Sequence, residues 1–118
     1  MRSYFFALAG GLLLHTGAHA QAPESDAVRM AATVMNTWKD GDGSRPARWT
    51  YDEAVVWKGL ESCWYNTGDA RYFKYIQHLM DRLVDKNGNI LTYKMEDYNL
   101  DNILCGRLLL LLYKVTNQ

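Results

Sequence analysis

Residues 52–67, DEAVVWKGLESCWYNT, and residues 101–116, DNILCGRLLLLLYKVT, superimpose when the chain is shifted by 49 positions. The shift sets Asp52 on Asp101, Ala54 on Ile103, Val55 on Leu104, Lys58 on Arg107, Leu60 on Leu109, Trp64 on Tyr113 and Thr67 on Thr116. Two amphipathic helices always share some apolar matches, because both follow a period of 3.6 residues. That period does not require agreement at the Asp, Lys/Arg and Thr positions. We therefore read an internal repeat whose unit is an amphipathic helix, a short link and a more apolar helix. The implied fold class is all-α, built from helical hairpins. A 49-residue period is too long for the 34-residue tetratricopeptide unit and speaks against a peptide-binding solenoid of that kind. It suits hairpins with sizeable loops whose more apolar helices form an inner layer, and two such hairpins make an arc.

Outward from the repeat, every periodic segment reads as helix. Ala27 to Trp38 carries Val28, Ala31, Ala32, Met35 and Trp38 at spacings of three and four and stops at Asp40-Gly41-Asp42-Gly43. Thr50 and Glu53 have the T-x-x-E spacing of a capping box, so a second helix is expected from about Tyr51, through Val55, Val56, Leu60, Cys63 and Trp64, to a stop at Asn66-Thr67-Gly68. A third helix follows Asp69 with Phe73, Ile76, Leu79, Met80 and Leu83 as its stripe, and Asn87-Gly88 breaks it. Ile90 to Tyr98 reads as a loop or short extended piece. The fourth helix, Leu100 to Val115, holds five consecutive leucines, Leu108 to Leu112; it is too short to span a bilayer and is expected to be buried by protein on most sides.

Composition bounds the rest. The 118 residues carry 13 basic and 13 acidic side chains, with no basic run to neutralise a phosphate backbone, so nucleic acid is excluded as a partner. Met1 to Ala20 opens on Arg2, runs apolar from Tyr4 to Leu14 and closes on Ala18-His19-Ala20, the order of a secretory signal peptide with an A-x-A-like cleavage site. Its apolar run is shorter than the roughly 20 residues of a membrane span. We expect cleavage after Ala20, a secreted or periplasmic location, no membrane association afterwards, and a mature portion covering 21–118. Export permits a disulfide, and Cys63 and Cys105 are the two cysteines. Through the repeat, Cys105 corresponds to Val56, seven residues before Cys63. Parallel neighbouring helices would offset the two by about 10 Å, so separate buried thiols are expected rather than a bridge, which needs alpha carbons within roughly 7 Å.

Trp49-Thr50-Tyr51, Val55-Val56-Trp57-Lys58-Gly59-Leu60, Thr67-Gly68-Asp69-Ala70-Arg71-Tyr72-Phe73, Tyr98-Asn99-Leu100-Asp101-Asn102, Gly106-Arg107-Leu108-Leu109 and Leu112-Tyr113-Lys114-Val115-Thr116 come in this order and spacing. Together they resemble the N-terminal part of the unsaturated rhamnogalacturonyl and unsaturated glucuronyl hydrolases, glycoside hydrolase families 105 and 88. The resemblance implies an (α/α)6 barrel, of which this chain would supply about the first two hairpins of six, and so a truncated N-terminal portion. It also implies the substrate, an oligosaccharide left by a polysaccharide lyase with a C4=C5 unsaturated uronic acid at its non-reducing end, from pectin of the rhamnogalacturonan type. The family's reaction hydrates that enol ether, and the resulting hemiketal falls apart; it is not displacement at the anomeric carbon. No cofactor is implied.

Two aspartates serve in this family, and Asp101 matches the first. An Asp in a helix's first turn is also favoured structurally, by the backbone N–H groups and the macrodipole. Asn99 aligns with Thr50, however, so Asn99 can cap and leave the Asp101 side chain free to point off the helix end. Asp101 is expected to orient substrate or assist the second aspartate, which would lie about one repeat further on. Asp52, its repeat partner, has no catalytic match and reads as a first-turn charge. Trp49 and Tyr51 sit at the mouth of the second helix, where aromatic rings can pack on sugar faces and the Tyr51 hydroxyl can bond a hydroxyl or carboxylate; Trp49 equally suits a hydrophobic staple. Asn102 joins Trp49 and Tyr51 as a substrate-binding candidate, with Tyr93 and Tyr98 on the same side. His78 reads as solvated. No metal-ligand spacing, Gly-rich phosphate loop or nucleophile elbow is present. The alternative function is a secreted, non-catalytic hairpin module that binds carbohydrate or protein.

Overall fold

The computed structural model describes residues 24–38 and 46–117. The expected leader, Met1 to Ala20, and the stop at Asp40 to Gly43 lie outside them. The described residues form four α-helices, α1 (Asp26–Thr37), α2 (Tyr51–Thr67), α3 (Ala70–Leu83) and α4 (Ile103–Thr116), with 3-10 turns at Met95–Asp97 and Leu100–Asn102. Among the described residues there is no strand, and one isolated antiparallel bridge joins Val84 to Ile90. The all-α expectation holds.

The helix ends follow local chemistry. Gly68, at φ 70°, ends α2 in the left-handed conformation that glycine adopts without a Cβ penalty, and its N–H reaches the Trp64 carbonyl. Asp69 caps α3 by accepting the Arg71 N–H at 2.9 Å. The capping box expected at Thr50 does not form. The Thr50 N–H already donates to the Arg48 carbonyl at 2.9 Å, so the Glu53 carboxylate reaches past it and accepts the Arg48 N–H at 2.9 Å. The helix still starts at Tyr51. In α4 the first turn is tighter than expected: Leu100–Asn102 is 3-10, and α-helix begins at Ile103.

One core joins the four helices. Trp49, Ala54, Trp57, Leu60, Tyr72, Ile76, Leu79, Met80, Leu83, Cys105, Leu108 and Leu111 are all buried in it. Three expectations about faces are corrected. Ala32 and Val55 point to solvent, since α1 meets the core through Ala31, Val34 and Met35, and α2 through Ala54, Trp57 and Leu60. The third concerns α4, which is not covered on most sides: Cys105, Leu108, Leu111 and Leu112 are buried, but Ile103, Leu110, Tyr113 and Val115 are exposed. Its apolar circumference exceeds what three helices can cover.

The two cysteines are free thiols, both buried, as the repeat geometry predicts. Cys105 Sγ donates to the Thr50 carbonyl at 3.4 Å, and Cys63 Sγ to the Ala27 carbonyl at 3.7 Å. The first bond places the buried side of α4 against the start of α2. The Tyr75 hydroxyl donates to the Trp38 carbonyl at 2.9 Å and ties α3 to the end of α1. The second hairpin therefore lies alongside the first, as the repeat demands.

Candidate active site

The N-termini of α2 and α4 lie side by side, and the segment Ile90 to Asn99 passes over them. That segment is held by a tight loop at its start. Asp85 Oδ1 accepts the backbone N–H groups of Asn87 and Asn89, Oδ2 accepts the Asn89 side-chain amide, and Gly88 turns at φ 83°. These bonds hold the Asp85 carboxyl below the usual carboxylate range.

Trp49 is the centre of the arrangement. Its N–H donates to Thr92 Oγ1 at 2.7 Å and its indole N–H to the Asn102 carbonyl at 2.9 Å, so one residue fastens the crossing segment and the start of α4 to the start of α2. Only 4% of it is exposed. Trp49 is thereby an anchor in the fold: its edge is bonded and most of its surface is packed. Thr92, the partner that makes this possible, carried no signal in the sequence beyond its place in a loop.

Asn102 lines a depression of about 270 Å³ together with Trp49, Ile90, Tyr93, Asn99 and Gly106. Three of the residues proposed for one side of the molecule, Trp49, Tyr93 and Asn102, are thus brought together. Tyr51 and Tyr98 are not part of this lining. Tyr51 is more than half exposed at the first position of α2, and Tyr98 stands out into solvent from a left-handed backbone at φ 44°, a conformation rare for a bulky side chain.

Asn99 caps as expected, accepting the Asp101 N–H at 3.0 Å. The cap occupies the backbone of Asp101 and leaves its carboxylate exposed, with no hydrogen-bond partner among the described residues. His78 is exposed on α3. Among the described residues no group of three His, Cys, Asp or Glu side chains is placed to hold a metal ion, and no helix is long and apolar enough to cross a membrane.

The sequence profile of Glycosyl Hydrolase Family 88 matches residues 26–118. No solved structure matches the chain.

Proposed function

The chain belongs to glycosyl hydrolase family 88, and from that premise we propose that it serves the removal of an unsaturated uronic acid from the non-reducing end of lyase-generated, rhamnogalacturonan-type pectin oligosaccharides. The observation that carries the reading is the Asn99 cap. By taking the Asp101 N–H, it leaves the carboxylate exposed beside Asn102, at the end of the molecule where the depression opens. A carboxyl group so placed is available to a ligand rather than spent on its own helix.

In the proposed reaction a proton is delivered to C4 and water adds at C5. The hemiketal formed at C5 then opens and releases the remaining sugar. Two carboxyl groups share this work. Asp101 supplies one, orienting the substrate or assisting its partner; the second lies about one repeat further on, beyond Gln118. Asn102 and Tyr51 contribute hydrogen bonds to the sugar. Trp49 acts indirectly by fixing the Asn102 backbone. The leader-like Met1 to Ala20 supports export to the periplasm or medium.

The assay follows loss of the enol-ether ultraviolet absorbance in lyase-generated oligosaccharides. The chain of 118 residues should give no turnover. In protein carrying the following hairpins, Asp101→Asn should reduce kcat by at least about a hundredfold, the scale of a lost acid–base group. Full activity in that variant would remove Asp101 from the site.

A further inference from the structure

We propose, on the reading of Asp101 as one of the two working carboxyl groups, that Glu53 is its positioning residue: Glu53 fixes Arg48 and Trp49 and, through the Trp49 indole, the turn that carries Asp101. Glu53 lies in the first turn of α2 and is 2% exposed. A carboxylate so buried is costly to desolvate and needs bonded donors. Its Oε2 accepts the Arg48 N–H at 2.9 Å, five residues back along the chain. A capping-box glutamate would reach only to the cap residue; this one reaches past Thr50 and holds the segment that leads into the helix. Burial and, after it, the negative charge of Glu53 raise the pKa of Tyr75 on α3 and of Cys105 on α4, so the carboxylate lies where α2, α3 and α4 meet.

The held segment spreads the constraint. The Arg48 N–H is bonded to Glu53, the Trp49 N–H to Thr92 Oγ1, the Trp49 indole N–H to the Asn102 carbonyl, and the Thr50 carbonyl to the Cys105 thiol. Asn102 closes the turn that carries Asp101. That turn is bonded to itself: Asn99 accepts the Asp101 N–H through its side chain at 3.0 Å and the Asn102 N–H through its carbonyl at 3.3 Å. It is therefore placed as a unit, and the indole bond at 2.9 Å joins that unit to the segment Glu53 holds. Without the Glu53 bond, Arg48 and Trp49 are released and the Asp101 carboxylate shifts with its turn. A reacting group displaced by about 1 Å loses much of its effect while the other contacts to substrate remain, so the loss belongs to kcat rather than to KM.

Two variants separate the reach of Glu53 from its charge. Glu53→Asp keeps the charge but is one methylene too short for the Arg48 N–H, whereas Glu53→Gln keeps the reach and an acceptor oxygen and loses the charge. Hydrogen exchange of the Trp49 indole N–H in the 118-residue chain, its resonance identified with Trp49→Phe, reads the link directly. Exchange should quicken by about tenfold or more in Glu53→Asp and stay within about twofold of wild type in Glu53→Gln. In protein carrying the following hairpins, Glu53→Asp should lower kcat by about tenfold with KM nearly unchanged. The longer acceptor of Glu53→Gln should rescue kcat, and Glu53→Asp should cost nothing further on top of Asp101→Asn. If Glu53→Asp lost its far-ultraviolet helix signal, Glu53→Ala, a good helix former without an acceptor, would replace it. Unchanged indole exchange in Glu53→Asp, equal losses in the Asp and Gln variants, or a rise in KM without a loss of kcat would overturn the proposal. Full activity in Asp101→Asn alongside the expected indole exchange would instead show the link intact and the reading of Asp101 wrong, and the positioning role of Glu53 in the reaction would fall with that reading.

Discussion

Cys105 shows how much one residue's role depends on its neighbours. Its thiol is fully buried, donates to the Thr50 carbonyl and lies near the negative charge of Glu53. Burial first, and the Glu53 charge second, push its pKa up to about 11 from an ordinary 9.0. The thiol is therefore a poor nucleophile in the folded chain. A raised thiol pKa means that the unfolded chain loses its proton first, so stability should fall as pH rises from about 9 towards 11. Urea midpoints across that window should show the decline, and it should be shallower in Cys105→Ala. Asp101 is the contrary case. The type of residue and its match to the family were readable, but that its carboxylate stays exposed depends on Asn99 having turned to take the Asp101 N–H.

At the scale of the element, Thr50 and Asn99 occupy the same place in the repeat and behave differently. Asn99 caps through its side chain, whereas the Thr50 side chain makes no cap bond. Asn99→Ala should therefore lower stability by about 1 kcal/mol, the usual worth of a cap, and Thr50→Ala should change it by no more than a few tenths. Chemical denaturation of the two variants checks this; equal losses would mean that Thr50 caps in solution. The sequence pattern placed both ends of α2 and the start of α3 within a residue or so of where they lie, because the signals there are local: a left-handed Gly68 and an aspartate cap at position 69; α3, expected to run to the break at Asn87-Gly88, ends at Leu83 instead, where the chain turns extended at Val84. It misjudged the start of α4 and the Thr50 cap. In both places a group from outside the helix, the Arg48 carbonyl or the Trp49 indole, had already engaged the backbone that a local rule would leave free.

For the whole molecule, the two hairpins meet through one core and through the bonds from Cys105 to Thr50 and from Tyr75 to Trp38. The amino-acid sequence by itself determined the all-α class, the 49-residue repeat and the separate thiols, because helix period, glycine stops and a fixed rise per residue are properties of the chain taken locally. Only the tertiary structure decided that Trp49 is buried and bonded at the joint between α2 and α4, that Trp49, Tyr93 and Asn102 share one depression that Tyr51 does not line, and that Ile103, Leu110, Tyr113 and Val115 of α4 are left exposed. Those outcomes depend on which surfaces meet across some 40 to 50 residues of chain, and no local pattern records how much of a helix its neighbours are large enough to cover.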